Sequence, residues 1–138
     1  MADFIAFNEG RQEVETQGWP ATVSFDLSTT QLSSFTAATT FAGGYGKLTS
    51  GTSTGYALKT SARPTATGLG VEAFTLMSWS TGAATNWPTT VYTIVAFNAT
   101  TSKIICAWNL VIGGAARDMS AASTTLNVTP TYAPTNPP

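Results

Sequence analysis

The chain has 138 residues and a mass of 14.4 kDa, which is the size of one ordinary domain. Only 9% of the residues are charged, the formal net charge is −1, and histidine is absent. This composition excludes charge-driven binding to nucleic acid or to an anionic membrane, histidine-based catalysis, and the usual zinc and copper sites. The single cysteine, Cys106, excludes an internal disulfide, and we expect no cofactor.

Residues 1–20 predict a short helix or an irregular arm at the start of the chain. Apolar residues recur at helical spacing from Asp3 to Val14, with Asp3 as a candidate cap and Gly10 as a weak point in the middle. Residues 1–7 lack the basic and apolar regions of a signal peptide, so we expect synthesis in the cytoplasm.

Residues 21–129 predict one all-β domain, because apolar and polar residues alternate in short segments separated by turn residues. The domain is expected to be a single antiparallel β-sandwich or jelly-roll-like fold. Its predicted core contains Tyr92, Ile94, Ile104, Cys106 and Trp108. The predicted strands are Ala21 to Leu27, Gly55 to Ala62, Val71 to Ser80, Thr89 to Asn98, Lys103 to Leu110 and Ser123 to Thr129, and the fourth and fifth form a β-hairpin.

Residues 130–138 predict an extended, proline-rich tail that forms neither a helix nor a strand. On a free monomer this tail is expected to be disordered, and on a capsid it is expected to lie extended across a neighbouring subunit, with Tyr132 as its anchor. A cluster formed by Phe4, Ile5 and Phe7 would be an exposed apolar patch unless its own domain or a partner covers it.

Two roles remain open for the aromatic residues, namely sugar binding and packing. Trp79 and Trp87 flank the loop 80–86 and could stack on sugar rings, as in a carbohydrate-binding module. The alternative is packing in the core or in a subunit interface, where aromatic residues are enriched. The candidate interface residues are Phe4, Ile5, Phe7, Trp19, Trp79, Trp87 and Tyr132.

A hydrolase would need a pair of acidic groups, and Glu13 with Glu15 is the only close pair. These residues lie beside Arg11 in the most hydrophilic part of the chain, which favours a solvated or interface-facing surface. We therefore expect no catalytic and no metal-binding residues.

The order of elements resembles that of small virion proteins of tailed bacteriophages. The resemblance covers most of the chain in order and spacing, and it contains no diagnostic motif. The segments that carry it are Phe4 to Gly10, Ala21 to Leu27, Trp87 to Phe97, Lys103 to Asn109 and Ser123 to Thr129. This chain departs from the pattern in its few acidic residues and its long proline-rich tail.

The resemblance implies a structural subunit on the surface of the phage capsid, of the decoration-protein type, with a tail component as the second possibility. The implied partners are the lattice of the major capsid protein and other copies of this chain, with a trimer favoured. Nucleic acid and membrane are not expected as partners, and a host-surface glycan remains open. Such a protein is made in the host cytoplasm and functions in the virion.

Overall fold

A computed structural model describes residues 4–66 and 72–132. They are mostly β-structure with antiparallel strands and one short α-helix. The elements in chain order are β1 (Phe4–Ala6), α1 (Asn8–Gln17), β2 (Thr22–Ser28), a single 3-10 turn (Leu32–Ser34), β3 (Lys59–Ala62), β4 (Thr65–Ala66), β5 (Glu72–Ala73), β6 (Met77–Ser80), β7 (Thr93–Asn98), β8 (Lys103–Asn109), β9 (Thr125–Val128) and β10 (Thr131–Tyr132).

The centre of the molecule is a five-stranded sheet with the order β1-β8-β7-β2-β3. The predicted hairpin is confirmed: β7 and β8 pair antiparallel, with Ile94 opposite Trp108, and their turn places Ser102 at a φ of 54°. A register shift after Ala96 leaves Ile105 as an extra residue on β8, which is a β-bulge. Two smaller sheets, β10-β5-β4 and β6-β9, complete the described β-structure.

The central sheet is buried on both faces, and this explains why every residue of β7 is buried. Because side chains alternate along a strand, Phe25 and Ile94 lie on what we call the first face, and Asp26 and Val95 on the second. The first face shares one hydrophobic cluster with residues of the small sheets, including Trp79 of β6.

The second face is covered by residues from outside the sheets. Phe7, which precedes α1, and Phe35 and Tyr45 of the long segment 29–58 form a separate cluster with Val95. The same segment also closes the edge of β2 beyond β3, where Leu48 donates its backbone N–H to the carbonyl of Leu27 at 3.0 Å. A segment whose only helix or strand is one 3-10 turn therefore serves as one layer of the fold.

The predicted short N-terminal helix is confirmed, but its bounds and the structure before it differ from the prediction. The helix begins at Asn8 and ends at Gln17, and the residues before it form β1 at the edge of the central sheet. Helical spacing of Phe4 and Phe7 did not indicate a helix there, because pairing with β8 satisfies the backbone of residues 4–6 instead. The predicted cap, Asp3, lies outside the described residues, and Phe7 occupies the N-cap position.

Gly10 is a point of close packing rather than a weak point in the helix. A Cβ atom on Gly10 would overlap the carbonyl of Ile104 and would lie 2.6 Å from the Cα of Ile105. The helix therefore crosses directly over the bulge in β8, at a distance that only a glycine allows.

Several strands are shorter than predicted. The segment expected to be one strand, Val71 to Ser80, forms β5 and β6, which pair with different partners and are separated by residues 74–76. Val71 itself lies outside the described residues. In the predicted tail, Thr131 and Tyr132 form a strand paired with β5, so that part of the prediction is wrong, and residues 133–138 lie outside the described residues.

The core prediction is confirmed for three of its five residues. Ile94, Ile104 and Cys106 are fully buried. Tyr92 and Trp108 are only partly buried, because they lie at the ends of β7 and β8 where the sheet meets the surface.

Candidate functional site

Three of the predicted interface residues meet in one aromatic cluster. Tyr132 contacts both Phe4 and Trp19 in edge-to-face geometry, with ring centroids 5.5 Å apart for Phe4 and Tyr132 and 5.3 Å apart for Trp19 and Tyr132. Phe74 and Trp108 complete the cluster from the first face of the sheet. Phe4 and Tyr132 are 128 positions apart in the chain, so the cluster joins both ends of the described chain to the core.

Hydrogen bonds fix the polar edges of this cluster. The indole N–H of Trp19 donates to Oε2 of Glu72 at 3.0 Å, and the indole N–H of Trp108 donates to the carbonyl of Thr131 at 2.7 Å. Burial raises the pKa of the Tyr132 phenol. Tyr132 therefore anchors the segment 130–132 to its own domain, and its expected contact with a neighbouring subunit stays a prediction.

The other predicted aromatic residues lie in the core. The exposed fraction is 0% for Phe7, 1% for Trp79 and 3% for Trp87. The indole N–H groups of Trp79 and Trp87 donate to the carbonyls of Ala57 and Thr54, at 3.1 and 2.8 Å. Of the two alternatives for Trp79 and Trp87, the structure shows packing in the core, where both indoles fix the segment before β3 and form no exposed platform.

Ile5, the last predicted interface residue, lines an open apolar groove, which we call the β1 groove. Its volume is about 480 Å³, which lies within the range of ordinary small-ligand and peptide sites. The apolar walls are Ile5, Leu32 and Val111, with Phe4 and Tyr92 as the aromatic residues. The pattern of polar and apolar residues along the sequence could not predict this groove, because its residues come from β1, the 3-10 turn and the ends of β7 and β8, which are far apart in the chain.

The polar rim of the β1 groove consists of Gln31, Ser33 and Asn109. Asn109 accepts a hydrogen bond from the N–H of Val111 on its Oδ1 atom at 3.2 Å, so its Nδ2 group is the one presented to a ligand. The groove thus combines an apolar floor with side-chain amide donors.

A buried carboxylate on the second face of the sheet was not singled out from the sequence. Asp26 is 3% exposed and accepts hydrogen bonds from the phenols of Tyr45 at 2.6 Å and Tyr56 at 2.8 Å. The Tyr56 hydroxyl also accepts the N–H of Leu27 at 2.9 Å. Burial, reinforced by the nearby carboxylate, raises the pKa of both phenols far above the ordinary value. The sequence signal that could have indicated this site is the acidic residue Asp26 within a strand of alternating apolar residues.

The two acids that a hydrolase would have used do not form a pair. Glu15 binds Arg11 on the exposed side of α1, with 2.8 Å between Oε1 and Nε. Glu13 faces the β7–β8 turn, where it accepts hydrogen bonds from Asn98 at 2.7 Å and Thr101 at 3.0 Å. Each carboxylate therefore binds other groups of the chain, and the two do not face each other as an acid pair would.

The single cysteine, Cys106, is buried in β8. Burial raises the pKa of the Cys106 thiol well above its ordinary value, which opposes nucleophilic use. Across residues 4–66 and 72–132, no group of three or more acidic, cysteine or histidine side chains could hold a metal ion. No helix in the same part of the chain is both long and apolar enough to cross a membrane.

Comparison with known proteins identifies no relative. No protein-family profile, no curated protein and no solved structure matches this chain.

Proposed function

We propose that this chain is a non-enzymatic structural subunit of a tailed-bacteriophage virion. In this proposal it binds the lattice of the major capsid protein on the particle surface as a small oligomer, with a trimer favoured. It is made in the host cytoplasm, and its antiparallel sheets stack as a β-sandwich that serves as a rigid block. The resemblance of its element order to small virion proteins is the starting point.

The observation that carries the proposal is the scarcity of charged residues, which make up only 9% of the chain. Most of the charged side chains pair with each other or bind polar groups of the same chain, and some of these, including Arg11 and Glu15, stay exposed to solvent. These contacts include Arg11–Glu15, Lys103–Glu13, Trp19–Glu72, Phe41–Glu9, Asp26 with its two tyrosines, and the Arg117 Nε bond to the carbonyl of Leu110.

The exterior that remains consists largely of threonine, serine and scattered apolar residues. Leu76 and Ile112 are 64% and 62% exposed, and Leu58 is 43% exposed. Such a surface favours association by contact area rather than by charge, which is how a subunit with many identical copies binds a lattice.

The competing function, a carbohydrate-binding module, has less support. Its stacking residues would be Trp79 and Trp87, and both are buried with their indole N–H groups already bonded. A glycan array with the purified chain tests this alternative directly. Specific glycan binding that disappears in Trp87→Ala, while the variant keeps the wild-type circular dichroism spectrum, would favour it.

Co-sedimentation with capsid shells tests the proposal. Shells are assembled from the major capsid protein of the phage that encodes this chain, and the purified chain is added at increasing concentration. We expect saturable binding and a regular set of added densities by cryo-electron microscopy. Failure to bind, together with absence of the chain from purified particles by mass spectrometry, would contradict the proposal.

Matched surface variants separate apolar contact from charge. We expect Leu76→Lys or Ile112→Lys to weaken shell binding if that residue lies in the contact, because each removes exposed apolar surface. Thr52→Lys adds the same charge at an exposed polar position and is the control. If the three variants bind equally well, the contact lies elsewhere on the chain, and the cryo-electron density then decides where.

A further inference from the structure

We propose that the β1 groove is a binding site for an extended, proline-containing peptide segment, and that its occupant is residues 133–138 of the same chain. The inference goes beyond the proposed function, since it concerns the isolated chain and does not depend on a capsid.

The chemistry of the groove suits this class of ligand. An extended proline-rich segment has no internal hydrogen bonds, and its carbonyl groups need donors from a partner. Its rings pack against aromatic side chains, as in other sites that bind such segments. Phe4 and Tyr92 provide the aromatic surface, and the side-chain amides of Gln31 and Asn109 provide donors at the rim.

The position of Tyr132 brings the segment to the groove. Tyr132 packs against Phe4, which itself lines the groove. The carbonyl of the preceding residue, Thr131, accepts a hydrogen bond from the indole N–H of Trp108. The next six residues are Ala-Pro-Thr-Asn-Pro-Pro, of which three are proline. At about 3.1 Å per residue they span roughly 19 Å in an extended conformation, whereas packed β-layers are only about 10 Å apart.

The path from Tyr132 to the β1 groove crosses the open edge of strand β1. Phe7 donates its N–H to the carbonyl of Ile105 on β8 at 2.8 Å. Because backbone groups alternate sides along a strand, the N–H and C=O groups of Phe4 and Ala6 point away from β8. Within the described residues no strand pairs with that edge. A segment leaving Tyr132 for the groove would cover it, which is one way in which proteins protect an apolar edge strand.

The proximity of Tyr132 to the groove favours the same chain over a second copy. A segment tethered next to its site is present at an effective concentration in the millimolar range, well above that of a second copy in dilute solution. The fixed φ angles of its prolines also reduce the entropy that is lost on binding.

Nuclear magnetic resonance of the full chain tests the proposal. Spectra of residues 1–138 are compared with those of a triple variant, Pro134→Ser, Pro137→Ser and Pro138→Ser. We expect the amide signals of Leu32, Asn109 and Val111 to shift, whereas those of Leu76, at a distant exposed site, stay in place. Unchanged groove signals would overturn the proposal.

A peptide titration provides the second measurement. A fluorescent peptide of residues 131–138 is added to the full chain and to a chain that ends at Tyr132, with circular dichroism as the check that both are folded. We expect at least tenfold tighter binding to the shortened chain, because residues 133–138 compete for the groove in the full one. Equal binding to both chains, or no binding to the shortened one, would overturn the proposal.

Variants locate the site, and dilution identifies the source of the segment. Val111→Lys should abolish peptide binding. Ile112→Lys, at the neighbouring exposed position outside the groove, is the control and should leave binding unchanged. If Val111→Lys fails to fold, Leu32→Ser is used in its place. If the groove signals of the full chain shift on dilution while it dissociates from an oligomer, a second copy supplies the segment. That result would overturn the assignment to the same chain.

Discussion

At the scale of single residues, the buried carboxylate of Asp26 holds two buried phenols in place. Its two carboxylate oxygens bind the phenols of Tyr45 and Tyr56, and these tyrosines belong to the long segment 29–58 that covers the second face of the sheet. The carboxylate thus substitutes for regular secondary structure in attaching this segment to β2.

Replacing Asp26 is expected to be strongly destabilising. Asp26→Ala leaves two buried phenol donors without their acceptor, and the expected loss in the free energy of unfolding is about 3 kcal/mol or more. Urea denaturation measures it. Asp118→Ala is the control, because Asp118 is exposed and bonds only to the nearby Ser120, so a loss of less than about 1 kcal/mol is expected. Equal losses for the two variants would show that the buried cluster has no special role.

Gly10 gives a second prediction at this scale. In an exposed helix, Gly→Ala stabilises by up to about 1 kcal/mol. Here the new Cβ would overlap the backbone of β8, and we expect a net loss of about 2 kcal/mol instead. Gly51→Ala is the matched control, because only Thr49 Oγ1 lies near its Cβ position, at 3.8 Å. Thermal unfolding of the two variants should move the midpoint clearly downward for Gly10→Ala only.

At the scale of elements, α1 is tied to two other parts of the chain through one side chain. Glu9 Oε1 accepts the backbone N–H of Phe41 at 2.7 Å and that of Ile104 at 3.0 Å. The first turn of the helix therefore fixes both the bulged strand β8 and the segment 29–58.

Glu9→Ala is expected to free both amides. Hydrogen exchange at Phe41 and Ile104 should become faster, and the free energy of unfolding should fall by about 2 kcal/mol, because two partly buried donors lose their acceptor. Glu9→Gln keeps an oxygen at the same position and should show a much smaller change. Protection that is unaffected in Glu9→Ala would mean that these amides are shielded by packing alone.

At the scale of the whole molecule, the buried tyrosines make stability sensitive to alkaline pH. The fold raises the pKa of Tyr45 and Tyr56, mainly by burial, so the folded state keeps these phenols protonated when the unfolded chain releases its protons near pH 10. Their contribution is therefore complete below pH 10 and is lost as the pH rises above that value.

Urea denaturation at pH 8 and pH 11 tests this dependence. Above pH 10, each of the two tyrosines should reduce the free energy of unfolding by about 1.4 kcal/mol per pH unit. The double variant Tyr45→Phe, Tyr56→Phe should be less stable at pH 8 but should decline less steeply. A decline of the same slope in wild type and variant would place the alkaline sensitivity in other groups, such as Tyr132 or Cys106.

The sequence by itself determined the elements whose signals are local. Period-two alternation located β2, and a β-branched, aromatic segment followed by a polar turn located the β7–β8 hairpin. Composition predicted a β-rich domain, since threonine suits a pleated, partly exposed surface. These features depend on residues close together in the chain.

Only the tertiary structure decided how the remaining residues are used. The Phe4–Ala6 segment became a strand because β8 offered it a partner. Trp79 and Trp87 became core residues, and segment 29–58 supplied carbonyl acceptors for their indole N–H groups. The β1 groove likewise gathers Ile5, Leu32, Tyr92 and Val111 from distant parts of the chain. Whether an apolar side chain is buried in the core or lines a groove depends on what packs against it, and sequence periodicity records only which side of its own element it occupies.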